Sequence, residues 1–238
     1  MKIVIAPSKT MKYQEHGFIS TPLIYPEETN YLKMKLKEYN DEELCELMKI
    51  SYKQATKVYD YYHETYPVHP ALSLYQGTVF KQLDLSHFQE HLQYLDKHLC
   101  IMSAYYGVLK YNTGITPYRL DMTMKLDSVN LYEYWYTPIY RYFENEDLII
   151  SLASQEFTSM IHHPHLYFID FVEIKNEKIK RNAMIIKKAR GQMLNQMILN
   201  EIHTLDDLKN LNIDGFIYDE SQSHEHNLVF IRKSMNKI

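Results

Sequence analysis

Three short segments of the sequence place charged side chains beside apolar runs, where they could bind a ligand or transfer protons: APSKT (6–10), TPYRLDM (116–122) and SLASQEF (151–157). A buried Arg, Asp or Glu needs a partner, because an uncompensated buried charge is costly. Arg119 and Asp121 are two residues apart and would face the same side of a strand. Structural ion pairing among Arg119, Asp121 and Glu156 explains these charges, and a ligand site is the alternative.

The segment APSKT directly follows an apolar, β-branched run, KIVIA (2–6), that predicts a strand. In α/β proteins such positions commonly form ligand-binding loops. Lys9 and Thr10 are the residue types of a phosphate loop, but the glycines that let backbone amides wrap a phosphate are missing. The segment is therefore not a Walker motif, and an ordinary polar strand exit is the alternative.

A fourth segment, IIKKARGQM (185–193), concentrates positive charge. Residues 177–190 hold six cations against one Glu, although the whole chain has a net charge of -4. Lys187, Lys188 and Arg190 lie at the start of a predicted helix. The helix dipole, the unpaired amides and these side chains would all favour an anion bound among them.

We therefore predict one basic cleft that binds a phosphate-bearing ligand. Its members come from the four segments: Lys9, Thr10, Arg119, Asp121, Ser154, Glu156, Lys187, Lys188 and Arg190.

A second basic region lies in LMKISYKQATKVY (47–59), where two predicted helices meet at a very short turn. Ser51 is a good first residue for the second helix, and Lys49, Lys53 and Lys57 lie on or beside the turn. The pattern resembles a helix-hairpin-helix, in which amides at a helix start hold a DNA phosphate, although the usual hairpin glycines are missing. We predict contact with double-stranded DNA here; an amphipathic hairpin with a solvated lysine edge is the alternative.

Histidines and glycines point to no metal or cofactor. HHPH (162–165) lacks regular ligand spacing, and His98 is about two turns beyond the pair His87 and His91 on a stripe that we expect to be solvated. HExxH and GxGxxG motifs, a serine nucleophile elbow and the context of a catalytic cysteine are missing. We predict no metal site and no cofactor, and we leave open whether the protein is an enzyme.

The predicted elements are helical in the first half and richer in strands in the second. We expect helices over 29–39, two within 41–66, and others over 84–99, 130–143 and about 189–203. Strands are predicted over 148–154, 166–174, 178–186, 215–220 and 227–233, with a hairpin turn at 176–177. Without a linker or repeat, the favoured fold is one α/β (α+β) domain over 1–238, with helices flanking a mixed sheet.

Bulk composition is that of a cytoplasmic globular protein. The chain has 45% hydrophobic and 24% charged residues, and no apolar run reaches the roughly 18 residues of a membrane span. The apolar run before Pro7 is too short for a signal peptide, and Cys45 and Cys100 share no motif.

Six segments taken in order resemble the YaaA family of bacterial peroxide-stress proteins: APSKT, PYRLDM, LYEYW, SLASQEF, KKARGQM and GFIYDE. Relatives carry SPAKT, PYRLEM, LYxFW, LASxEY and KKARGxM in the same order, so the match spans nearly the whole chain. This chain has Ala6 and Ser8 where relatives have Ser and Ala, Asp121 for their Glu and Phe157 for their Tyr. Lys9 and Thr10 match the family motif.

The resemblance implies a cytosolic protein that limits iron-driven damage during hydrogen peroxide stress. It also implies an α/β fold with a basic cleft, and association with DNA. Two main functions remain open: non-enzymatic DNA binding through the helical hairpin and cleft, and an enzyme acting on a phosphate-containing or nucleotide substrate in the same cleft. Direct iron binding through the histidines is a third, weaker alternative. An enclosed site with acids beside bases would favour the second.

Overall fold

A computed structural model describes residues 1–127, 129–175 and 178–234. Its helices are α1 (Pro26–Lys37), α2 (Asp41–Met48), α3 (Tyr52–His63), α4 (Ala71–Leu74), α5 (Leu92–His98), α6 (Leu131–Phe143), α7 (Gln155–Thr158), α8 (Ala183–Leu199) and α9 (Leu205–Lys209). Short 3₁₀ turns span Phe80–Gln82, His87–His91 and Glu220–Gln222. The strands are β1 (Lys2–Ile5), β2 (His69–Pro70), β3 (Leu99–Ser103), β4 (Gly107–Leu109), β5 (Gly114–Ile115), β6 (Lys125–Leu126), β7 (Val129–Asn130), β8 (Ile149–Ser151), β9 (Leu166–Lys175), β10 (Lys178–Lys180), β11 (Ile217–Tyr218) and β12 (Asn227–Ser234).

The main sheet is mixed, and its strands run in the order β11-β12-β9-β8-β1-β3-β4, with β10 added to the outer part of β9. Strands β3, β1, β8, β9 and β12 are parallel to one another, whereas β4, β10 and β11 are antiparallel to their neighbours. The predicted class, a mixed sheet flanked by helices, is confirmed.

The core lies around the central strands, whose residues are buried on both faces. Ile3, Val4 and Ile5 of β1 have almost no exposed surface, and all five residues of β3 are buried. The apolar face of α6 supplies Trp135, whose indole N–H donates to Ala104 O at 2.8 Å. This packing makes the sheet a rigid support for the loops that follow its strands.

Several predicted elements are confirmed, with shifted ends. The strand at 2–6, the paired helices within 41–66 and the helix over 130–143 are present, and the last tolerates Pro138 in its interior. The strand predicted over 166–174 is β9, and its antiparallel pairing with β10 agrees with a hairpin. The turn predicted at 176–177 itself lies outside the described residues.

Two predictions are wrong in instructive ways. Residues 178–186 do not form one strand, because Asn182 accepts hydrogen bonds from Met184 N and Ile185 N and thereby starts α8 at Ala183. Likewise 84–99 is not one helix: it is a 3₁₀ turn followed by α5, and Leu99 already belongs to β3. Both errors arise because a short apolar run is compatible with either a helix or a buried strand.

Candidate functional site

The candidate site lies where the strand order of the parallel sheet reverses. From β1 the chain proceeds to β3 on one side of β1, and later to β8, β9 and β12 on the other side. The adjacent strands β1 and β8 therefore flank the switch point. Leu152 N donates to Val4 O at 2.8 Å, so the pairing of the two strands extends to the carboxyl end of β8. Loops that follow such strands form the usual ligand crevice of open α/β sheets.

The loop after β1 is held by its own serine and by a neighbouring segment. Ser8 Oγ donates to Thr10 O at 3.0 Å and accepts from Thr10 N at 3.1 Å. Gln76 N also donates to Thr10 O, and a Cβ on Gly77 would lie 2.5 Å from Ser8 Oγ, so only glycine allows this approach. The loop thus presents Lys9 in a fixed backbone setting.

The segment that carries Arg119 and Asp121 has no regular secondary structure, so the predicted strand spacing does not apply to it. Tyr62 of α3 holds its backbone instead: Tyr62 OH donates to Arg119 O at 2.6 Å and accepts from Arg119 N at 3.1 Å. One residue earlier, Tyr118 OH accepts from Ser103 Oγ at 2.8 Å and lies 2.7 Å from Tyr75 OH. Burial raises the pKa of both Tyr62 and Tyr118, which keeps these hydroxyls neutral and able to donate.

Two carboxyl groups and one ammonium group meet in this site. Lys9 Nζ lies 2.6 Å from Asp121 Oδ2, with the lysine side chain 61% exposed and the aspartate 17% exposed. Glu156, carried by α7 after β8, accepts a hydrogen bond from Met122 N at 3.0 Å. Burial, and then the nearby Asp121 carboxylate, raise the pKa of Glu156, while the Met122 N–H and Lys9 act against them. Glu156 is therefore a weaker acid than an ordinary glutamate, and it lies next to the Asp121–Lys9 ion pair.

These groups line a small, partly enclosed pocket with a volume of about 60 Å³. Its walls are partly apolar and partly charged: Pro7, Ser8, Lys9, Met11, Tyr118, Arg119, Leu120, Asp121, Glu156 and Phe157. The buried Nε of Arg119 has no hydrogen-bond partner among the described residues. A guanidinium whose Nε has no partner among the described residues, together with two carboxyl groups and an ammonium group, can bind a phosphate or a polar ring.

The structure brings four of the nine predicted cleft residues, Lys9, Arg119, Asp121 and Glu156, into this pocket. Thr10 and Ser154 lie beside it without lining it: Thr10 shapes the Lys9 loop, and Ser154 O accepts from Phe157 N and Thr158 N at the start of α7.

The three cations of KKAR do not line the pocket. They are not at a helix start either, since α8 begins at Ala183 and Lys187 is already in its second turn. Lys187 is exposed, and Lys188 Nζ lies 3.5 Å from Asp214 Oδ2. The pocket is therefore smaller than the predicted cleft, and the apparent conflict between these cations and the helix dipole disappears.

Arg190 differs from its two neighbours because most of its side chain is buried. Its Nε has no hydrogen-bond partner among the described residues, and burial lowers its pKa while Asp170 of β9 opposes that shift. Since Phe168 pairs with Ser151, Asp170 lies about 7 Å beyond the end of β8, at the edge of the sheet that carries the pocket.

The helical hairpin consists of α2 and α3, joined through Lys49, which adopts a left-handed conformation with φ 52°. Lys49, Ser51, Lys53 and Lys57 are all exposed. Ser51 starts α3, but its hydroxyl donates to Gln54 Oε1, and the N–H groups of Tyr52 and Lys53 have no acceptor among the described residues.

One flank of this helix start is acidic. Asp41 Oδ2 accepts from Thr56 Oγ1 at 3.0 Å, and Asp41 is the first cause of the raised pKa of Tyr52. An anion approaching the free amides is therefore favoured only from the Lys53 side.

The histidines are dispersed among different partners. His87 pairs with Asp84 and His91 with Glu201, whereas His98, expected to be solvated, is buried and bonded through Nδ1 to Met1 O. His163 accepts from His165 N. Among the described residues, no group of three or more His, Cys, Asp or Glu side chains is placed to hold a metal ion.

The residues that hold the Tyr118–Arg119 segment of the pocket wall were not predicted from the sequence. Tyr62, Tyr75 and Ser103 come from three different elements, and nothing in their local sequence distinguishes them from the other tyrosines and serines. Only Tyr118 stood inside a recognised segment.

The fold and site define an α/β protein with a small pocket of mixed apolar and charged lining at the switch point of a mixed sheet. The family model described as "Peroxide stress protein YaaA" matches residues 1–222. Relatives include UPF0246 proteins of Finegoldia magna (33% identical, covering 100% of both chains), Ligilactobacillus salivarius (34%, covering 98% of this chain and 100% of the relative) and Fusobacterium nucleatum (30%, with the same coverage). The chain belongs to the YaaA family of peroxide stress proteins, as its motifs predicted.

No helix in the described part of the chain is both long and apolar enough to cross a membrane.

Proposed function

We propose that this peroxide stress protein limits iron-mediated oxidative damage by binding double-stranded DNA in the bacterial cytoplasm. The observation that carries the proposal is the start of α3. There the N–H groups of Tyr52 and Lys53 have no acceptor among the described residues, and Lys49, Lys53 and Lys57 are exposed nearby. A helix start with free amides is an anion site, and the adjacent lysines add counterion release, which dominates sequence-independent binding.

Helix α3 connects the hairpin to the pocket wall. Tyr62, near the carboxyl end of α3, is bonded to the backbone of Arg119 in the pocket wall. Lys53 is nine residues earlier in the same helix, about 14 Å away along its axis and turned by about 180° from Tyr62. The proposed DNA contact therefore lies on the exposed side of α3, opposite to the side that holds the pocket wall.

The test is the salt dependence of duplex binding. The Lys53→Ala/Lys57→Ala variant should lower the log–log salt slope by about two, because each phosphate contact contributes nearly one. The variant Lys33→Ala/Lys37→Ala, which removes two lysines from α1, is the matched control and should keep the wild-type slope. A wild-type protein that does not bind duplex, or a hairpin variant with an unchanged slope, contradicts the proposal.

A second candidate is an enzyme acting on a phosphate-containing or nucleotide substrate. The observation that favours it is the proximity of Glu156, Asp121 and Lys9 in a partly enclosed pocket, because acid and base groups with separated proton affinities suit general acid–base chemistry. Free Arg119 Nε then offers a donor to a phosphate.

This candidate predicts that phosphate, sulfate or at least one nucleotide raises the melting temperature of the wild type. The shift should be lost in Arg119→Met, and it should persist in the control Arg141→Met, which removes an exposed arginine of α6. A wild-type melt that no anion moves contradicts it.

A further inference from the structure

The outer part of the main sheet forms a lysine-bearing surface away from both the pocket and the helical hairpin. Strand β8 pairs with β9 only as far as Phe168, while β9 continues to Lys175, about 23 Å further. Over residues 173–175 it is flanked by β10 on one side and β12 on the other. We call this part (173–175, 178–180 and 232–233) the sheet tip.

The register of the sheet tip places three lysines on one face. Lys178 lies opposite Lys175, and Lys180 lies opposite Glu173. Directly opposed residues share a face and residues two apart in a strand return to it, so Lys175, Lys178 and Lys180 project together. Ile174 and Ile179 occupy the other face.

The two acids of β9 are already paired with arginines. Glu173 accepts from Arg232 at 3.1 Å, and Asp170 pairs with Arg181 at 2.8 Å. In the described part of the chain none of the ion pairs includes Lys175, Lys178 or Lys180.

Opposed like charges destabilise a strand pair. The Lys175–Lys178 pair therefore costs the isolated fold stability, and a polyanion lying on this face would remove that cost.

We propose that the lysine face of the sheet tip is a second contact surface for the phosphate backbone of duplex DNA, separate from the helical hairpin. This inference rests on the proposed DNA-binding function. Lysine on an edge strand also discourages edge-to-edge pairing of sheets. If that were the only role of these lysines, substituting them would leave DNA affinity unchanged.

The experiment measures duplex affinity against salt for Lys178→Gln/Lys180→Gln. The control, Lys97→Gln/Lys110→Gln, removes the same charge beside the amino end of β3, at the opposite edge of the sheet. We expect the salt slope to fall by about two in the sheet-tip variant and to stay at the wild-type value in the control. Lys178→Arg/Lys180→Arg should retain the wild-type slope, which separates a charge effect from a folding defect.

The outcomes separate this inference from the proposed function. Wild type that binds duplex with a slope unaffected by Lys178→Gln/Lys180→Gln overturns the sheet-tip contact and leaves the hairpin proposal standing. The sheet-tip contact with DNA is also overturned if Lys178→Gln/Lys180→Gln loses binding to anionic vesicles while the salt slope of its DNA binding stays at the wild-type value. A wild type that does not bind duplex at all refutes both. Additive slope changes on combining the sheet-tip and hairpin variants support two separate contacts.

Discussion

The hydroxyl of Tyr62 is bonded to both backbone polar groups of Arg119, donating to its carbonyl at 2.6 Å and accepting from its N–H at 3.1 Å. One side chain of α3 thereby satisfies a segment that has no strand or helix partners of its own. It also joins the helical hairpin to the pocket, so the two proposed contact regions are mechanically linked.

Tyr62→Phe should destabilise the protein by about 1–3 kcal/mol, because it leaves two largely buried backbone groups without a partner. Urea unfolding of the variant measures the effect. The control is Tyr140→Phe, which removes an exposed hydroxyl of α6 and should change the free energy of unfolding little. Equal stability of the two variants would show that water replaces Tyr62 at Arg119.

The difference in stability between Glu156→Gln and wild type should shift in favour of Glu156→Gln as the pH rises from 4 to 7. The pKa of Glu156 is raised above its ordinary value of 4.5, so the folded state binds the proton more tightly than the unfolded state. The contribution of this group is complete below 4.5 and is lost as the pH rises through the raised pKa. Glutamine imitates the protonated form and can still accept from Met122 N.

Chemical denaturation at a series of pH values measures this difference. Glu144→Gln, at an exposed position after α6, should follow the wild-type curve. A Glu156→Gln curve parallel to wild type at every pH would mean that the carboxyl has no raised pKa. Asp121→Asn should lower the pKa of Glu156, because the Asp121 carboxylate is a cause of the shift.

Gly191→Ala should destabilise the protein by about 1–3 kcal/mol, although alanine is normally the better helix residue by about 1 kcal/mol. A Cβ at this position would lie 2.3 Å from Val79 O and 2.8 Å from Gln82 Cγ, so α8 would have to move off the 3₁₀ turn at Phe80–Gln82. Thermal melts compare it with Lys187→Ala, an exposed change in the same helix that should be nearly neutral. A stabilised Gly191→Ala would refute the close contact.

Arg190→Met should leave the free energy of unfolding unchanged or raise it in the absence of ligands. Burial disfavours the charged guanidinium, and its Nε gains no compensating hydrogen bond from the described residues, so an apolar side chain of similar length removes a cost. A large loss of stability in Arg190→Met would instead show that Arg190 neutralises a partly buried acid such as Asp170.

The same variant tests whether Arg190 binds an anion. If it does, added phosphate should raise the melting temperature of wild type and leave that of Arg190→Met unchanged. Arg190→Lys should lose most of the rise, because lysine cannot reproduce a bidentate contact.

The sequence by itself determined the class of fold and the family, and it placed Lys9, Arg119, Asp121 and Glu156 in a larger predicted cleft. Lys9 and Glu156 could be predicted as neighbours of strands because a charged residue just after an apolar, β-branched run is a local pattern. The family followed from ordered motifs. The paired helices were likewise predictable, since the Ser51 helix start and the apolar spacing are patterns that extend over a few residues.

Only the tertiary structure decided which of those residues meet. The strand order that puts β8 beside β1 brings Lys9 together with Asp121 and Glu156, which both lie more than 100 residues later in the chain, and it leaves Lys188 beside Asp214. Tyr62 is a support of the pocket only because α3 packs against the Arg119 segment. Strand pairing and side-chain packing between distant segments depend on the whole core, and local periodicity carries no record of them.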